Sequence, residues 1–332
     1  MKVFEKIKIG KEKEIQIFGF PILQYGKKDI KNGTEKYIKL FPTSFEKKLV
    51  KMIFKNITND YDDLYLLRCG LGEAYLINFF IDAWTRKNKS KNPCYISPRS
   101  EGREWNCFYK IPVENITIPW QSLSALKKRC YKYKGRRLFV FLPLKEIRKI
   151  VRSYQKKPQP HVKSLLKFCK LTSDDLKPVQ PVFSRDIKDS ALARLKENKI
   201  NKNNFVFISS DALSAPLLPQ EFWNELKLNL EKKGIGFIQN KKEISISEAL
   251  YLSSIASAVI ALRSGFSEGL ANQAKKIFVL YTPLKSPFLP IPDFIKAYSL
   301  VEYPFATEKQ ITEFDTSALS HENIIQKIIE EI

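Results

Sequence analysis

The sequence predicts an α/β fold with two Rossmann-like domains that face a central cleft. Short apolar runs, typical of buried parallel strands, alternate with helix-like segments along most of the chain. Each half also carries a glycine-bearing turn between a strand and a helix, Gly70–Glu73 in the first and Arg263–Glu268 in the second. With 332 residues, 44% of them hydrophobic, the chain is long enough to bury two cores.

Prolines around a short helical segment mark the junction between the two halves. The segment is His161–Cys169, and prolines stand on both sides of it at positions 158, 160, 178 and 181. The predicted parts of the chain are an N-terminal extension over residues 1–60, a first domain over 61–155, a linker over 156–185, a second domain over 186–310 and a C-terminal segment over 311–332.

The N-terminal extension is predicted to be a small β element followed by a basic helix. Two short strands are predicted over Glu14–Phe18 and Ile22–Tyr25, and Phe45–Phe54 spaces its apolar residues at helical intervals among lysines. A helix of this kind could lie on a membrane surface. More often it packs against its own domain, which is what we expect here.

The two domains repeat the same order of strands and helices. The first domain begins with a strand over Leu64–Cys69 and a helix over Ala74–Trp84, and its further strands are predicted over Cys94–Ile96, Ile116–Ile118 and Leu138–Leu142. The second domain is predicted to have strands over Phe205–Ile208, Gly236–Ile238, Val259–Leu262 and Ile277–Tyr281, and helices over Pro219–Lys233 and Ser247–Ala256. A final helix over Glu322–Glu331 could pack back on the first domain.

The net charge of +22 is concentrated in the first half of the chain. Residues 86–170 hold 23 basic and four acidic side chains, whereas residues 171–332 are nearly neutral. A positive field of this size attracts nucleic acid, anionic lipid or an acidic substrate, or it is a solvated surface. The run Lys127–Arg137 interleaves basic and aromatic residues, as single-strand binders do and as proteins on anionic membranes also do.

Several classes of protein are disfavoured by composition. The longest apolar runs are shorter than the ~18 residues of a membrane-spanning helix, and the first ten residues lack the apolar core of a signal peptide. We therefore expect a cytoplasmic protein. Its five cysteines form no CxxC pair and only two histidines accompany them, so we interpret the cysteines as reduced structural thiols.

The turn Arg263–Glu268 is the most informative stretch of the sequence. It joins the apolar run Ala256–Leu262 to a helix-like segment beginning at Gly269. A strand, a tight turn and a helix in this order present backbone N–H groups and the positive end of a helix at the carboxyl edge of a sheet. The turn is therefore a candidate anion site for the phosphates of a nucleotide.

The corresponding turn of the first half ends in an acid. Glu73 follows Gly70 and Gly72 in the run Tyr65–Glu73, and it could act as a general base or be a carboxylate favoured by the helix dipole. In an inverting sugar transfer one carboxylate removes the proton of the acceptor hydroxyl, while an anion site receives the departing nucleoside diphosphate. The two turns supply a candidate for each role.

The run Tyr65–Glu73 resembles the strand and GxGD-type turn that opens bacterial ADP-heptose:lipopolysaccharide heptosyltransferases. The resemblance extends over roughly residues 62–285: His161–Leu171 matches the inter-domain helix, Phe205–Trp223 the strand, loop and helix that follow, and Ile246–Tyr281 the donor-binding stretch. Those enzymes have the GT-B fold and transfer sugar from a nucleotide sugar.

The resemblance implies a set of donor-binding residues. In the family a (D)TGxxH-like turn holds the diphosphate, and its place here is taken by Arg263, Ser264, Gly265, Phe266, Ser267 and Glu268. Four more residues, at the end of the predicted strand Phe205–Ile208 and in the loop after it, are added to this set: Ser209, Ser210, Asp211 and Ser214. Arginine and glutamate replace the family's aspartate and histidine, and the loop lacks the family's cation. Arg263 could compensate for that cation because a guanidinium can hold two phosphate oxygens.

Two of these residues have a second interpretation. Glu268 could accept hydrogen bonds from sugar hydroxyls, or it could cap its own helix or pair with Arg263. The sequence has no convincing DxD motif, because Asp62–Asp63 and Asp174–Asp175 are more simply capping or surface residues. We therefore expect no metal and no cofactor other than the nucleotide-sugar substrate.

The charge distribution suggests the acceptor. GT-B enzymes bind the acceptor in the first domain, so a cationic first half implies an anionic glycan or lipid-linked acceptor and peripheral contact with the inner membrane. Candidate acceptor contacts are Arg99, Arg103 and Lys110, which could equally be surface charges. The expected function is an inverting, metal-independent glycosyltransferase of bacterial lipooligosaccharide or capsule synthesis. The alternatives are a nucleic-acid-binding protein without catalysis and a catalytically idle GT-B partner subunit.

Overall fold

The residues that the structure describes form one fully parallel sheet, one mainly parallel sheet and one antiparallel sheet. The computed structural model describes residues 4–9, 12–17, 20–30, 33–40, 42–57, 59–67, 71–97, 112–116, 118, 122–177, 179–212, 215–282, 291–306 and 309–332. These residues form two compact units. One contains the described residues within 1–68, 90–100 and 111–145, and the other contains those within 69–89 and 146–332.

The first unit begins with a four-stranded antiparallel sheet of order β1-β2-β3-β4. Its strands are β1 Phe4–Ile9, β2 Glu12–Ile17, β3 Phe20–Ile30 and β4 Gly33–Leu40. The two strands expected here are therefore the middle pair of a larger meander. Helix α1, Pro42–Asn56, follows directly.

The second sheet of this unit has the order β7-β6-β5-β9-β8. Its strands are β5 Asp63–Leu67, β6 Pro93–Ser97, β7 Val113–Asn115, β8 Cys130–Tyr133 and β9 Arg136–Phe141. All pairs are parallel except the edge pair β8–β9. The parallel strands, taken in chain order, are arranged 3-2-1-4, as in one half of a Rossmann fold, and the sequence predicted a Rossmann-like domain here.

Helix α1 packs on this sheet, as expected from its spacing of apolar residues. Leu49, Val50, Ile53 and Phe54 are buried in one core with strand residues such as Leu66. The lysines of α1 at positions 47, 51 and 55 point to solvent. The helix is stabilised mainly by burial of this apolar face, rather than by the intrinsic helix propensity of its residues.

One strand lies earlier in the chain than predicted. The sequence suggested a strand over Ile116–Ile118, but β7 covers Val113–Asn115. Its pairing ends at Asn115 because the partner residue, Ser97, is the last of β6. Ile116 and Ile118 are nevertheless buried. The apolar pattern therefore predicted their burial correctly but predicted strand pairing at the wrong residues.

The second unit contains a five-stranded, fully parallel sheet of order β11-β10-β12-β13-β14. Its strands are β10 Phe205–Ser209, β11 Gly236–Gln239, β12 Ala258–Leu262, β13 Lys276–Tyr281 and β14 Gln310–Asp315. In chain order this is 2-1-3-4-5, a doubly wound arrangement whose ligand crevice lies where the strand order reverses, between the carboxyl ends of β10 and β12.

Ten helices of the described chain belong wholly or mainly to this unit. They are α2 Leu71–Leu76, α3 Ile81–Lys87, α4 Leu144–Lys156, α5 His161–Cys169, α6 Arg185–Glu197, α7 Gln220–Lys232, α8 Ile246–Ile255, α9 Gly265–Gln273, α10 Ile291–Tyr298 and α11 His321–Glu331.

Two of these helices correct the sequence prediction. The helix expected over Ala74–Trp84 is broken into α2, a 3₁₀ turn over Ile77–Phe79, and α3. The side chain of Asn78 donates to the carbonyls of Ala74 and Tyr75 at 3.1 and 3.0 Å, which competes with the helical backbone.

The closing helix also differs from expectation. Rather than presenting its apolar face to the first domain, α11 buries Ile324, Ile325 and Ile328 in the core of the fully parallel sheet. Strand β14, which the sequence reading missed, adds Phe314 to the same core. Because a parallel strand needs its return helix to cover the sheet, α11 completes the second unit.

The cap of helix α8 should make stability depend on acid pH. Burial acts to raise the pKa of Glu248, but hydrogen bonds from Ser190, the Ser245 N–H and Arg194 lower it to about 2. A carboxylate with a lowered folded-state pKa stabilises the fold above its unfolded pKa of 4.5, and this stabilisation is lost as the pH falls toward about 2.

We therefore expect Glu248→Gln to flatten the loss of stability in this pH window. Urea unfolding at a series of pH values between 4.5 and 2 measures the slope. Glu225→Gln, at an exposed position of α7, is the control and should keep the wild-type slope. Equal slopes for wild type and Glu248→Gln would contradict the assignment.

Candidate active site

Glu73 lies in the first turn of α2, the helix that follows β5 in the chain. Its side chain is 27% exposed, so the carboxylate is accessible without being fully solvated. One oxygen, Oε1, lies 3.5 Å from Nε2 of His161, the first residue of α5. The candidate base predicted from sequence therefore has a histidine directly beside it.

His161 is held by aromatic residues on its other sides. The ring is 5% exposed, and its Nδ1 lies 2.8 Å from the hydroxyl of Tyr154 in α4. Tyr298, the last residue of α10, lies against the ring with centroids 4.7 Å apart and planes 33° apart. The imidazole is thus fixed in position by residues from two other helices.

These surroundings keep Glu73 ionised. Burial alone would raise the pKa of Glu73, but the nearby His161 opposes it, and Arg263 adds a smaller effect. The net result is a pKa below the usual range. A carboxylate of this kind is a proton acceptor at neutral pH, which is the state that a general base requires.

The second predicted turn begins a helix with a reciprocal cap. Ser264 is the N-cap of α9; its hydroxyl accepts the N–H of Ser267, and the hydroxyl of Ser267 accepts the N–H of Ser264. The cap leaves the N–H groups of Gly265 and Phe266, the first two residues of the helix, without a partner inside the helix. Both residues are partly exposed. These two donors are the part of the turn that can meet an anion.

Arg263 has a different position from the one predicted. Its side chain is only 4% exposed, and each of its five N–H groups has an acceptor. The acceptors are the Tyr298 carbonyl at 3.0 Å, the Ser264 carbonyl at 2.5 Å, Ser267 Oγ at 3.4 Å, Glu268 Oε1 at 2.9 Å and the Tyr303 hydroxyl at 3.2 Å. The guanidinium therefore ties the turn together from the inside.

Glu268 forms the buried pair with Arg263 that the sequence left open as one alternative. The Tyr303 hydroxyl donates to the same oxygen, Oε1, at 3.1 Å. Burial raises the pKa of Glu268, Arg263 acts in the opposite direction, and the negative charge of Glu73 adds to the rise. The other oxygen, Oε2, is buried and has no hydrogen-bond partner among the described residues.

Gly72 allows the two predicted turns to meet. A Cβ atom at this position would lie 2.5 Å from Glu268 Oε2 and 2.7 Å from Glu268 Cδ. Since Arg263 holds that carboxylate in place, it cannot move aside cheaply. The absence of a side chain at Gly72 is what lets α2 and α9 pack with Glu73 and Glu268 in one cluster.

The other predicted donor residues lie at the adjacent strand end. Ser209 ends β10 and is buried with Ser210, while Asp211 is exposed. The Ser210 hydroxyl accepts a hydrogen bond from Gln239 Nε2 at 2.6 Å. Because Ser209 pairs in register with Ala261 of β12, this strand end and the α9 turn share the crevice at the switch in strand order.

Five predicted site residues lie outside the described part of the chain. They are Gly70, Arg99, Arg103, Lys110 and Ser214.

The basic and aromatic run Lys127–Arg137 forms the β8–β9 hairpin. Its aromatic residues are engaged within the unit: the Tyr131 hydroxyl accepts the N–H groups of Lys127 and Lys128, and Tyr133 stacks on Phe54 at 5.5 Å. Arg137 pairs with the buried Asp63 at 2.5 Å. These contacts give Tyr131, Tyr133 and Arg137 structural roles within the unit.

Sequence reasoning missed the residues behind Glu73. His161 was read only as a helix boundary, and Tyr154, Tyr298 and Tyr303 were not singled out. One signal was present, since His161 is one of only two histidines in the chain. The tyrosines carried no signal because their convergence on one point depends on how α4, α10 and the following turn pack.

No group of three or more histidine, cysteine, aspartate or glutamate side chains in the described ranges is placed to hold a metal ion. Within the same ranges, no helix combines the length and the apolar character needed to cross a membrane.

Comparison with solved structures finds the same architecture. The glycosyl transferase family 9 protein of Veillonella parvula DSM 2008 is 11% identical, with a TM-score of 0.51 over 83% of this chain and 99% of that one. Two E. coli structures match at 12% identity: ADP-heptose lps heptosyltransferase II (TM-score 0.44, 81% of this chain, 97% of that one) and heptosyltransferase WaaC with ADP (TM-score 0.45, 81% and 99%). No protein-family model and no curated protein matches the sequence.

The likeness to the Veillonella protein shows a shared fold. The chain therefore has the GT-B glycosyltransferase fold that the run Tyr65–Glu73 led us to expect, and the predicted fold class is confirmed. At 11% identity the likeness shows the fold alone. The candidate roles of individual residues depend on the geometry described above.

The environment of Arg263 predicts a large effect on stability. Arg263→Met should lower the free energy of unfolding by about 3 kcal/mol, because it leaves the Glu268 carboxylate buried without its partner. Urea unfolding without any nucleotide measures this effect. Arg185→Met is the matched control, since Arg185 pairs with Asp189 on an exposed helix surface and should contribute little.

A stable Arg263→Met variant that had lost only nucleotide binding would contradict this structural role. That result would instead support the phosphate-binding role of Arg263 that the sequence predicted.

Proposed function

We propose that this protein is an inverting, metal-independent glycosyltransferase that moves a sugar from a nucleotide sugar to an anionic bacterial surface glycan, such as lipooligosaccharide or capsule. The observation that carries the proposal is Glu73: an ionised, partly exposed carboxylate beside a buried histidine, packed against the helix that begins at the candidate anion site. The shared fold supports the class of reaction.

The chemistry assigned to Glu73 is removal of one proton. Its carboxylate accepts the proton of the acceptor hydroxyl as that oxygen forms a bond to the anomeric carbon of the donor. The bond from the anomeric carbon to the diphosphate oxygen breaks, and the nucleoside diphosphate leaves with the bonding electron pair. Attack opposite the leaving group inverts the anomeric centre.

The leaving diphosphate is assigned to the start of α9. The N–H groups of Gly265 and Phe266 and the positive end of the helix would stabilise its charge. Ser209, Ser210 and Asp211 at the neighbouring strand end are the proposed contacts to the nucleoside or sugar. Arg263 supports the site by holding the turn and Glu268, rather than by reaching the phosphates. With these donors the transfer requires no metal, which is part of the proposal.

An anionic acceptor and peripheral membrane contact are supported by the first unit. Exposed lysines of α1 lie near exposed lysines of the β8–β9 hairpin, because Phe54 of α1 stacks on Tyr133 of β8. The exposed lysines on these two elements are Lys47, Lys48, Lys51, Lys55, Lys132 and Lys134. Acidic glycans or lipid headgroups at the inner face of the cytoplasmic membrane are proposed to bind here.

Glu73→Gln should abolish transfer while preserving donor binding. Removal of a general base costs about 10²- to 10⁴-fold in turnover, and the amide keeps the shape of the side chain. Thermal shift with ADP-, GDP-, UDP- and CMP-sugars identifies the donor, and release of the nucleotide measures turnover. Glu302→Gln, at a glutamate that pairs with Lys163 on the surface, is the control and should keep full activity.

Each alternative predicts a different result in this experiment. A catalytically idle relative binds a nucleotide sugar, but neither wild type nor variant turns it over. A nucleic-acid-binding protein shows no nucleotide-dependent thermal shift and binds oligonucleotides with steep salt dependence. Either result would overturn the proposal.

Gly265→Pro should weaken donor binding without unfolding the helix. Proline is well tolerated at the first position of a helix, and it removes one backbone N–H. The preceding residue, Ser264, has φ −149° and ψ 172°, which a following proline accepts. We expect about a tenfold weaker affinity for the nucleoside diphosphate, by analogy with the loss of one hydrogen bond to a charged group. Calorimetric titration measures the affinity.

Gly234→Ala, at a glycine with φ +68° and open space around it, controls for general glycine effects. It should bind the nucleoside diphosphate as wild type does. Unchanged affinity in a folded Gly265→Pro variant would exclude this N–H from the donor site.

A further inference from the structure

His161 is the buried titratable residue that the proposed reaction does not use directly. Its Nδ1 lies 2.8 Å from the Tyr154 hydroxyl, and its buried Nε2, which has no hydrogen-bond partner among the described residues, lies 3.5 Å from Glu73 Oε1. Its 5% exposure leaves no room for it to act on a substrate itself. A histidine of this kind can act only through its neighbours.

The contact with Tyr154 determines which nitrogen carries the proton. Burial raises the pKa of the Tyr154 phenol, so its hydroxyl keeps its proton across the physiological range and is available as a donor. If the hydroxyl donates to Nδ1, the neutral imidazole carries its proton on Nε2. Nε2 is the nitrogen that lies 3.5 Å from Glu73 Oε1.

The ring orientation is fixed from a third side. Tyr298 lies on the ring face, and its carbonyl accepts hydrogen bonds from Arg263 Nε and from the Tyr281 hydroxyl, each at 3.0 Å. The backbone that supports the imidazole is thus tied to the Arg263 cluster. Rotation of the ring would break the contact with Tyr154 and lose this packing.

We propose that His161, oriented by Tyr154, positions the Glu73 carboxylate for proton abstraction. The Nε2–H group binds Oε1, which leaves Oε2 for the acceptor hydroxyl. When Glu73 takes the acceptor proton, the imidazole keeps its own proton on Nε2, so a single proton moves in the whole step. His161 is a positioning residue, and this inference rests on the proposed function of Glu73.

The same contact sets the pH range of the reaction. The groups around His161 that carry charge or titrate are Glu73 on α2, Tyr154 on α4, Tyr298 on α10, and Arg263 and Glu268 at the start of α9. His161 and Arg263 lower the pKa of Glu73, and burial raises it. Without the imidazole, burial is opposed only by weaker effects, so the acidic limb of the activity profile moves to higher pH.

The first test needs no substrate. The protein has two histidines, so the ¹⁵N spectrum of His321→Phe contains the imidazole of His161 alone. We expect a proton on Nε2 and a bare Nδ1. In ¹³C-glutamate spectra, with Glu73→Gln used for assignment, the carboxyl of Glu73 should titrate at higher pH in His161→Phe than in wild type. A proton on Nδ1, or an unchanged Glu73 titration, would overturn the inference.

The second test is kinetic, with the nucleotide sugar that thermal shift identifies. His161→Phe keeps an aromatic ring against Tyr298 and removes both nitrogens. It should lower kcat by about 10- to 100-fold, as loss of an orienting hydrogen bond does in other sites, with donor KM unchanged and the acidic limb shifted upward. His161→Gln can still donate an N–H and should recover much of the activity.

Tyr154→Phe and His321→Phe complete the series. Tyr154→Phe should cause a smaller loss of the same kind, because the ring remains but its tautomer is no longer selected. His321→Phe, at the edge of Phe222, should behave as wild type. If His161→Phe does not fold, the pH profiles of kcat for His161→Gln and Tyr154→Phe test the inference instead.

The two levels of the proposal can fail separately. If Glu73→Gln is inactive but every His161 and Tyr154 variant keeps the wild-type kcat and pH profile, the positioning role is wrong and the glycosyltransferase function stands. If wild type turns over no nucleotide sugar, or Glu73→Gln is fully active, the proposed function itself is wrong.

Discussion

The arrangement of the candidate site depends on one buried guanidinium. Arg263 directly follows β12, and its five N–H groups meet acceptors from the α9 cap, from Glu268, from Tyr303 and from the end of α10. A buried charge is tolerated only when it is paired and fully hydrogen-bonded, so these elements must keep their positions together. The carboxylate of Glu268 is held still as a result, and the glycine at position 72 can pack directly against it. The helix that carries Glu73 is located by that contact.

Glu73 has a low pKa and His161 lies directly behind it. Such a site would act by orienting the carboxylate rather than by making it a strong base. Burial favours a protonated Glu73 carboxyl, whereas the imidazole of His161 and the guanidinium of Arg263 favour the ionised form that can accept a proton. The balance leaves an accessible carboxylate at neutral pH. Its reactivity toward a hydroxyl would then come from alignment with the donor, which is the larger part of what positioned groups contribute to catalysis.

Much of the fold and part of the site could be predicted from the sequence. The strands β10, β12 and β13 were correct within about one residue, because buried parallel strands leave continuous apolar runs. Glu73 and the α9 turn were found because glycine and a cap mark strand-to-helix junctions. The break in the helix after Leu76 was missed because it depends on the side chain of Asn78. The early end of β7 was missed because it depends on where its partner strand β6 ends. The burial of Arg263 was missed for a similar reason: its partners Tyr298 and Tyr303 lie 35 and 40 residues away.

The sequence by itself determined the alternation of strands and helices, the two glycine-bearing turns and the acid that ends the first of them, because these features follow from local periodicity and backbone conformation. Only the tertiary structure decided that Arg263 supports the turn from within, that Glu268 is its partner and that His161 stands behind Glu73. Those relations join residues far apart in the chain. They arise from the packing of α2, α4, α5, α9 and α10, which no local pattern encodes.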